Sequence, residues 1–202
     1  KTGTFTVVDG ENTVDIQLNE NGYVLSSSLK EGLNIKLSGK LEGTFTVDSS
    51  EDVILLTLDN VIINAKDGPA INLLTKEKTF ITATKNSENF LTDSENRDGN
   101  TKKGALYAKG ALIFDSLDSK VGTITVNGSY KHGVYSDDYI KINDGTLNVN
   151  ISATDALRSI NGFIMNAGTL KIRGTGNVID EESKGIKVDG EDLFANAVKG
   201  SE

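Results

Sequence analysis

The hexapeptide Gly122-Thr123-Ile124-Thr125-Val126-Asn127 is repeated as Gly145-Thr146-Leu147-Asn148-Val149-Asn150 and again as Gly168-Thr169-Leu170-Lys171-Ile172-Arg173. The three copies lie 23 residues apart. Within each copy apolar residues alternate with polar ones, which is the pattern of a β-strand with one buried face. The regular spacing of these strands predicts a stack of similar structural units.

Two other strand-like segments repeat with the same spacing. Residues 139–142 return as 162–165, and residues 134–136 return as 157–159. Each repeat therefore holds three short strands and three turns. A unit this short cannot bury its apolar face alone, so its copies must stack on each other. We predict an all-β fold, a right-handed parallel β-helix with three-strand coils of about 23 residues.

The same spacing predicts which apolar side chains form the core. We expect four inward stacks: Ile71/Leu106/Val134/Leu157/Ile186, Leu112/Ile140/Phe163, Phe114/Ile142/Met165 and Ile124/Leu147/Leu170. Spacings longer than 23 residues indicate insertions, which we place in the turns at residues 86–103, 115–121 and 174–184. The insertions leave the strand register intact.

We interpret residues 1–202 as a single β-helix domain. Residues 1–38 are less regular and are assigned to an N-terminal cap and the first coil, because a solenoid must cover its open end. Residues 39–190 form the coils. Residues 191–202 are either a C-terminal cap or a truncated coil, and a helical turn is predicted only at residues 192–199.

Charge and composition exclude several classes of partner. The chain has 29 acidic and 21 basic residues and a formal charge of −8, which argues against a nucleic-acid partner. No run of about 18 apolar residues is present, so we expect no membrane span. Cysteine is absent, so no disulfide indicates the compartment. The chain starts at an ordinary lysine without a signal-like segment, which fits a mature or trimmed protein as well as a cytosolic one.

Several phrases of the sequence resemble a known family. They are Leu58-Asp59-Asn60-Val61-Ile62-Ile63, Asp67-Gly68-Pro69-Ala70-Ile71, Gly104-Ala105-Leu106-Tyr107, Gly133-Val134-Tyr135-Ser136-Asp137-Asp138 and Gly185-Ile186-Lys187. In this order they are similar to the bacterial carbohydrate-binding β-helix family related to polysaccharide lyases. The resemblance covers roughly residues 20–190. It implies a protein that is secreted or attached to the cell surface, carries Ca²⁺ and binds polysaccharide.

One column of side chains is predicted to face outward from the first strand of each coil. It follows the inward residues by one position and contains Asn72, Tyr107, Tyr135, Arg158 and Lys187. With neighbouring coils about 4.8 Å apart, tyrosines could stack on sugar rings and arginine could bind a carboxylate. The column predicts a carbohydrate-binding surface exposed to solvent. The alternative is that these side chains only decorate the outside of the solenoid.

Acidic and amide side chains gather at the end of this column. Asp137 and Asp138 end one strand, Asn161 lies one coil beyond Asp138, and Asp189 aligns with Asp137 two coils on. Such oxygens are ligands that Ca²⁺ prefers, so they predict a structural calcium site. Asp155 with Asp180, Glu181 and Glu182 could form a second, looser site. The alternative is that Asp and Asn only form hydrogen bonds within turns.

The single histidine offers no catalytic partner in the sequence. His132 precedes a strand, and no serine or cysteine lies at a suggestive spacing. We predict an ordinary surface histidine in a loop.

Three functions remain open from the sequence. The first is non-catalytic, calcium-assisted binding of acidic or cellulosic plant-type polysaccharide by a monomer. The second is a calcium-dependent lyase that acts on uronates by β-elimination, with Arg158 or Lys187 as the base. Neighbouring carboxylates disfavour this, because they would raise the pKa of either cation. The third is a structural, adhesin-like surface repeat.

Overall fold

The structure, a computed structural model, describes residues 6–9, 15–19, 22–26, 32–49, 52–116, 122–173 and 186–188. Within these residues the chain forms β-strands and no helix. The strands wind into a parallel β-solenoid of about 6 turns with about 24 residues per turn. The all-β solenoid confirms the fold predicted from the 23-residue repeat. Among the described residues no helix has the length and hydropathy needed to cross a membrane.

Each turn of the solenoid contributes strands to three faces. Face one is a sheet of eight described strands: β2 (Asp15–Asn19), β3 (Gly22–Ser26), β5 (Thr44–Asp48), β7 (Ile71–Leu73), β10 (Gly104–Ala108), β13 (His132–Ser136), β16 (Leu157–Ser159) and β19 (Ile186–Val188). From β3 to β19 each strand pairs in parallel with its counterpart in the next turn.

The other two faces belong to one continuous sheet. Face two contains β8 (Thr79–Ala83), β11 (Leu112–Phe114), β14 (Tyr139–Ile142) and β17 (Gly162–Met165). Face three contains β9 (Glu88–Thr92), β12 (Thr123–Gly128), β15 (Thr146–Ser152) and β18 (Thr169–Ile172). In the first turns the long strands β4 (Leu33–Glu42) and β6 (Ile54–Asn64) run across both faces, since β8 pairs with the first half of β6 and β9 with its second half.

All four predicted inward stacks are confirmed by the strand register. Leu106 pairs with Ile71 and Val134, Val134 with Leu157, and Leu157 with Ile186. The stacks that begin at Leu112, Phe114 and Ile124 also pair as expected. Most of these side chains are fully buried in one continuous apolar core. The core grows with each turn, because every turn adds inward residues to the same stacks.

The N-terminal edge differs from the regular turns. Here β1 (Thr6–Asp9) pairs antiparallel with β4, and β2 pairs antiparallel with β3. These strands therefore cover the first strands of the solenoid on two faces. Edges of this kind would otherwise leave backbone donors and acceptors free for another chain.

The insertion predicted at residues 86–103 includes residues that belong to a strand. Residues 88–92 form strand β9, in which Asn89 and Leu91 point inward and are buried while Phe90 is exposed. The sequence pattern did not predict this strand, because an amide occupies a core position and an aromatic ring faces outward. Asn89 accepts a hydrogen bond from the Val61 N–H at 2.9 Å and donates to the Thr123 carbonyl at 3.0 Å. The inserted loop is therefore residues 93–103.

Some predictions fall outside the described residues. They concern the acidic loop at 174–184, most of the turn at 115–121, Asp189 and the helical turn at 192–199.

Candidate functional site

The predicted outward column exists, but most of it is not exposed. Asn72, Tyr107, Tyr135, Arg158 and Lys187 pair in that order along face one. Tyr107 is only 4% exposed and Tyr135 only 6%, and Asn72 is also buried. The prediction that these residues point into solvent is therefore wrong for the two tyrosines and Asn72. Arg158 is half-buried, and the side chain of Lys187 lies outside the described residues.

The tyrosines are covered by each other and by neighbouring side chains. The rings of Tyr107 and Tyr135 stack with centroids 5.8 Å apart, and the His132 ring stacks with Tyr135 at 5.5 Å. The inserted loop brings Lys102 Nζ to 4.6 Å from the centre of the Tyr107 ring. Because sequence periodicity reports only the direction of a side chain, it could not reveal that the loop preceding β10 folds back over Tyr107.

Polar contacts fix the Tyr107 side chain. Its hydroxyl donates a hydrogen bond to Asp137 Oδ2, and Lys102 Nζ lies 3.3 Å from the same hydroxyl. Burial, together with the Asp137 carboxylate, raises the pKa of Tyr107 well above its usual value. The phenol therefore stays protonated and acts as a donor to Asp137.

His132 is a buried residue of strand β13 and not the surface histidine predicted from the sequence. Its Nδ1 lies 2.8 Å from Thr154 Oγ1 and 3.4 Å from Asp155 Oδ2. Burial lowers the pKa of His132 to about 4, and the Asp155 carboxylate only partly offsets this effect. The imidazole is thus neutral at neutral pH and serves as a packing and hydrogen-bonding group in the aromatic stack.

Asp155 does not present oxygens to a second metal site as predicted. Its side chain is buried, and Oδ2 accepts a hydrogen bond from Arg158 Nη1 at 2.9 Å. The carboxylate is neutralised by the cation three residues further along the chain, which the sequence pattern did not indicate. Its predicted partners Asp180, Glu181 and Glu182 lie outside the described residues.

The structure brings three of the predicted calcium ligands together on two neighbouring turns of the solenoid. Asp138 Oδ1 accepts a hydrogen bond from the Asn161 amide at 2.8 Å, and the exposed Asp137 accepts one from Tyr107. The described residues form no cluster of three or more acidic, histidine or cysteine side chains suited to a metal ion. The fourth predicted ligand, Asp189, is outside the described residues. The two neighbouring turns therefore supply two carboxylates and one amide.

A groove of about 740 Å³ opens beside the covered tyrosines. We call it the face-one groove. Its floor continues the predicted column toward the N-terminus, because Asn72 pairs with Thr46, and Thr46 pairs with Val24. One wall is formed by residues 98–102 of the inserted loop. The sequence register could have extended the column to Thr46 and Val24, but it contained no signal for the wall.

The lining of the face-one groove is polar and carries charges of both signs. Asp48, Asp67 and Asp98 face it from three different segments, and Lys102 and Lys109 face it near the covered tyrosines. Two buried acceptors on these lining residues, Asp67 Oδ1 and Asn72 Oδ1, find no hydrogen-bond donor among the described residues. An unmet buried acceptor is costly, because it loses its hydrogen bonds to water on folding without gaining others.

Comparison with known proteins relates this chain to a family. A polysaccharide lyase-like protein from C. thermocellum, solved as a gadolinium derivative, has 18% sequence identity to this chain and a TM-score of 0.63. The match covers 91% of this chain and 88% of the other. At this identity it shows a shared fold. None of the curated proteins compared with the chain matches it.

The family assignment comes from a sequence model. The family model for carbohydrate-binding domain-containing proteins matches residues 10–197, which is almost the whole solenoid. This confirms the resemblance found in the sequence phrases of the turns. The chain therefore belongs to the family of carbohydrate-binding domain-containing proteins.

Proposed function

We propose that the chain binds polysaccharide without cleaving it, and that the polymer lies in the face-one groove. The observation that carries this proposal is the open polar groove, whose lining offers carboxylate, amide and ammonium groups from several turns. Sugar hydroxyls can form hydrogen bonds with such groups. Because neighbouring turns repeat along the floor, successive sugars of a polymer can meet successive turns, and weak contacts then add along the chain.

The charges of the groove favour polymers that carry some acidic groups. Lys102 and Lys109 stand at the end of the groove nearest Tyr107, where they can pair with a uronate carboxylate. Thr46 and Asn72 offer uncharged contacts on the floor. We therefore propose acidic or cellulosic plant-type polysaccharides as the ligand class, with pectic acid and cellulose as the polymers to test.

Calcium remains a part of this proposal. Ca²⁺ usually takes about 6 to 8 oxygen ligands. Asp137, Asp138 and Asn161 would supply some of them, and Asp189, water or uronate carboxylates of the polymer would have to supply the rest. In this arrangement the ion would bridge protein and polymer close to Tyr107, because Asp137 is bonded to that residue.

We also propose that the protein works as a monomer in a secreted or cell-surface location of a bacterium. This rests on the ligand class, since plant-type polysaccharides lie outside the cell.

Substitutions on the groove floor and wall test the binding site. We expect Asn72→Ala and Lys109→Ala each to weaken binding of pectic acid about 10-fold, which corresponds to roughly 1.4 kcal/mol per lost contact. Affinity electrophoresis with pectic acid and cellulose measures this loss, once with calcium and once with chelator. Asn148→Ala is the matched control, because Asn148 is an outward-facing asparagine on face three.

Unchanged binding in both groove variants would show that the polysaccharide does not bind in this groove. Equal binding with calcium and with chelator would show that calcium is not required, and the groove would still be the proposed binding site. An absorbance assay for the unsaturated product of β-elimination runs in parallel. Product that disappears in Arg158→Ala would make the protein a lyase, although in the structure Arg158 is held by Asp155.

A further inference from the structure

The inserted loop, residues 93–103, is fastened to the turns on both sides of it. The Ser94 N–H donates to the Gly68 carbonyl at 3.2 Å, and the Gly68 N–H donates to the Asn96 carbonyl at 3.3 Å. On the other side, the Lys103 carbonyl accepts from the His132 N–H at 2.9 Å. We call this segment the wall loop, because its residues 98–102 line the face-one groove.

A buried ion pair sits at the base of the wall loop. Arg97 Nη2 donates to Asp93 Oδ2, and the side chains are only 6% and 0% exposed respectively. The Asp93 carboxylate also accepts hydrogen bonds from the backbone N–H groups of Ser129 and Tyr130. The Arg97 guanidinium lies 4.4 Å above the centre of the Tyr130 ring. The pair therefore ties the wall loop to the turn at residues 128–131.

The guanidinium also interacts electrostatically with a residue that lines the groove. Arg97 Nε and Nη1 are buried and have no hydrogen-bond partner among the described residues, and the same is true of Asp67 Oδ1. Asp67 lines the groove and acts electrostatically on Arg97. Arg97 is thus attracted by two carboxylates, that of Asp93, which it contacts, and that of Asp67, which lines the groove.

Such a pair is expensive to break and is therefore suited to hold one geometry. Removing one partner leaves the other charge buried without compensation. A small surface loop has little apolar area to order it by packing alone, and the rest of the wall loop is mostly polar and exposed. The ion pair therefore provides the fixed contact that apolar packing cannot provide in this loop.

We propose that Asp93 and Arg97 are positioning residues that set the ligand affinity of the face-one groove by keeping the wall loop closed. This rests on the proposed function. When only a fraction of the molecules has the competent wall, the apparent dissociation constant rises by the inverse of that fraction. The loss of affinity and the opening of the loop are therefore linked quantitatively.

The test measures both quantities on the same variants. In Arg97→Met we expect backbone hydrogen exchange at residues 98–102 to rise about 10-fold, with protection in β7 and β10 unchanged. The dissociation constant for pectic acid should rise by the inverse of the closed fraction that exchange gives for the variant. Arg97→Lys keeps a cation beside Asp93 and should restore most of both. Lys171→Met, an exposed lysine on face three, is the control.

Each outcome decides the proposal. Unchanged exchange at residues 98–102 in Arg97→Met would overturn it, and so would a loss of affinity without loop opening. If Arg97→Met unfolds the whole chain, Tyr130→Leu takes its place, because it removes only the ring beneath the guanidinium. Faster exchange, with a loss of affinity that matches the drop in the closed fraction, would support the proposal. If the unaltered protein binds neither pectic acid nor cellulose, the proposed function fails, while exchange still decides whether the pair holds the loop.

Discussion

Tyr107 illustrates how its surroundings decide what a side chain on the outside of the solenoid can do. The ring faces outward in the strand register, yet Tyr135 and Lys102 cover it and its hydroxyl is bonded to Asp137. It cannot offer its ring to a sugar without displacing these contacts. It can hold Asp137 and Lys102 in place beside the groove, so its contribution to binding is indirect.

His132 is expected to make stability depend on pH. Its pKa falls from 6.5 to about 4 on folding, so between these values the unfolded chain binds more protons than the folded one. The contribution of His132 to the free energy of unfolding is therefore fully present above pH 6.5. It is lost as the pH falls toward 4, by about 3 kcal/mol in all. The groups that face the imidazole are Asp155, which opposes this loss, and Arg158, Lys131 and Lys103, which add to it.

Denaturant unfolding between pH 7.5 and 4.5 measures this effect. Over this range the free energy of unfolding of the unaltered protein should fall by much of that amount. The free energy of unfolding of His132→Gln should depend less on pH, because only carboxylates then contribute to the pH dependence. Parallel profiles for the two proteins would show that His132 does not titrate as a buried group.

At the level of the strands, the sequence predicted the register well because a parallel stack repeats its inward positions. Leu106, Val134 and Leu157 lie one above the other, and the constant spacing of the apolar residues required this. Strand β9 was missed because Asn89 replaces an apolar residue in the core and bonds to the backbone of the turns on both sides. Such a residue is recognised only through its partners, which lie 28 and 34 residues away.

The wall loop could not be predicted for a similar reason. Its polar composition indicated an insertion, but its position depends on Asp93 and Arg97 meeting a turn more than thirty residues further along the chain. The burial of Tyr107 follows from the same loop. Long-range contacts of this kind leave no period in the sequence.

A substitution in β15 tests the predicted register. Leu147→Asp places a charge in the inward stack between Ile124 and Leu170, where burial without a partner costs about 3 kcal/mol or more. Thermal unfolding should show a large loss of stability. Asn148→Asp is the matched control, because the next residue faces outward and should cost far less. Equal melting temperatures for the two variants would contradict the register.

For the whole molecule, the solenoid places a repeating surface beside a non-repeating loop. The turns supply outward positions at a constant spacing, and Val24, Thr46 and Asn72 occupy three of them on the groove floor. The wall loop closes one side of this track and carries Lys102. The regular part suits a polymer of repeating sugars, and the inserted part gives the groove its depth and its charge.

The most direct test of the central claim is hydroxyl-radical footprinting of the protein with and without pectic acid. Leu74 and Val24 report on the face-one groove, whereas Ile62 and Phe90 are exposed on face three at 39% and 38% and serve as internal references. Binding in the groove predicts that the polymer protects Leu74 and Val24 from oxidation and leaves Ile62 and Phe90 unchanged. Protection of Ile62 and Phe90, with Leu74 and Val24 still oxidised, would contradict it.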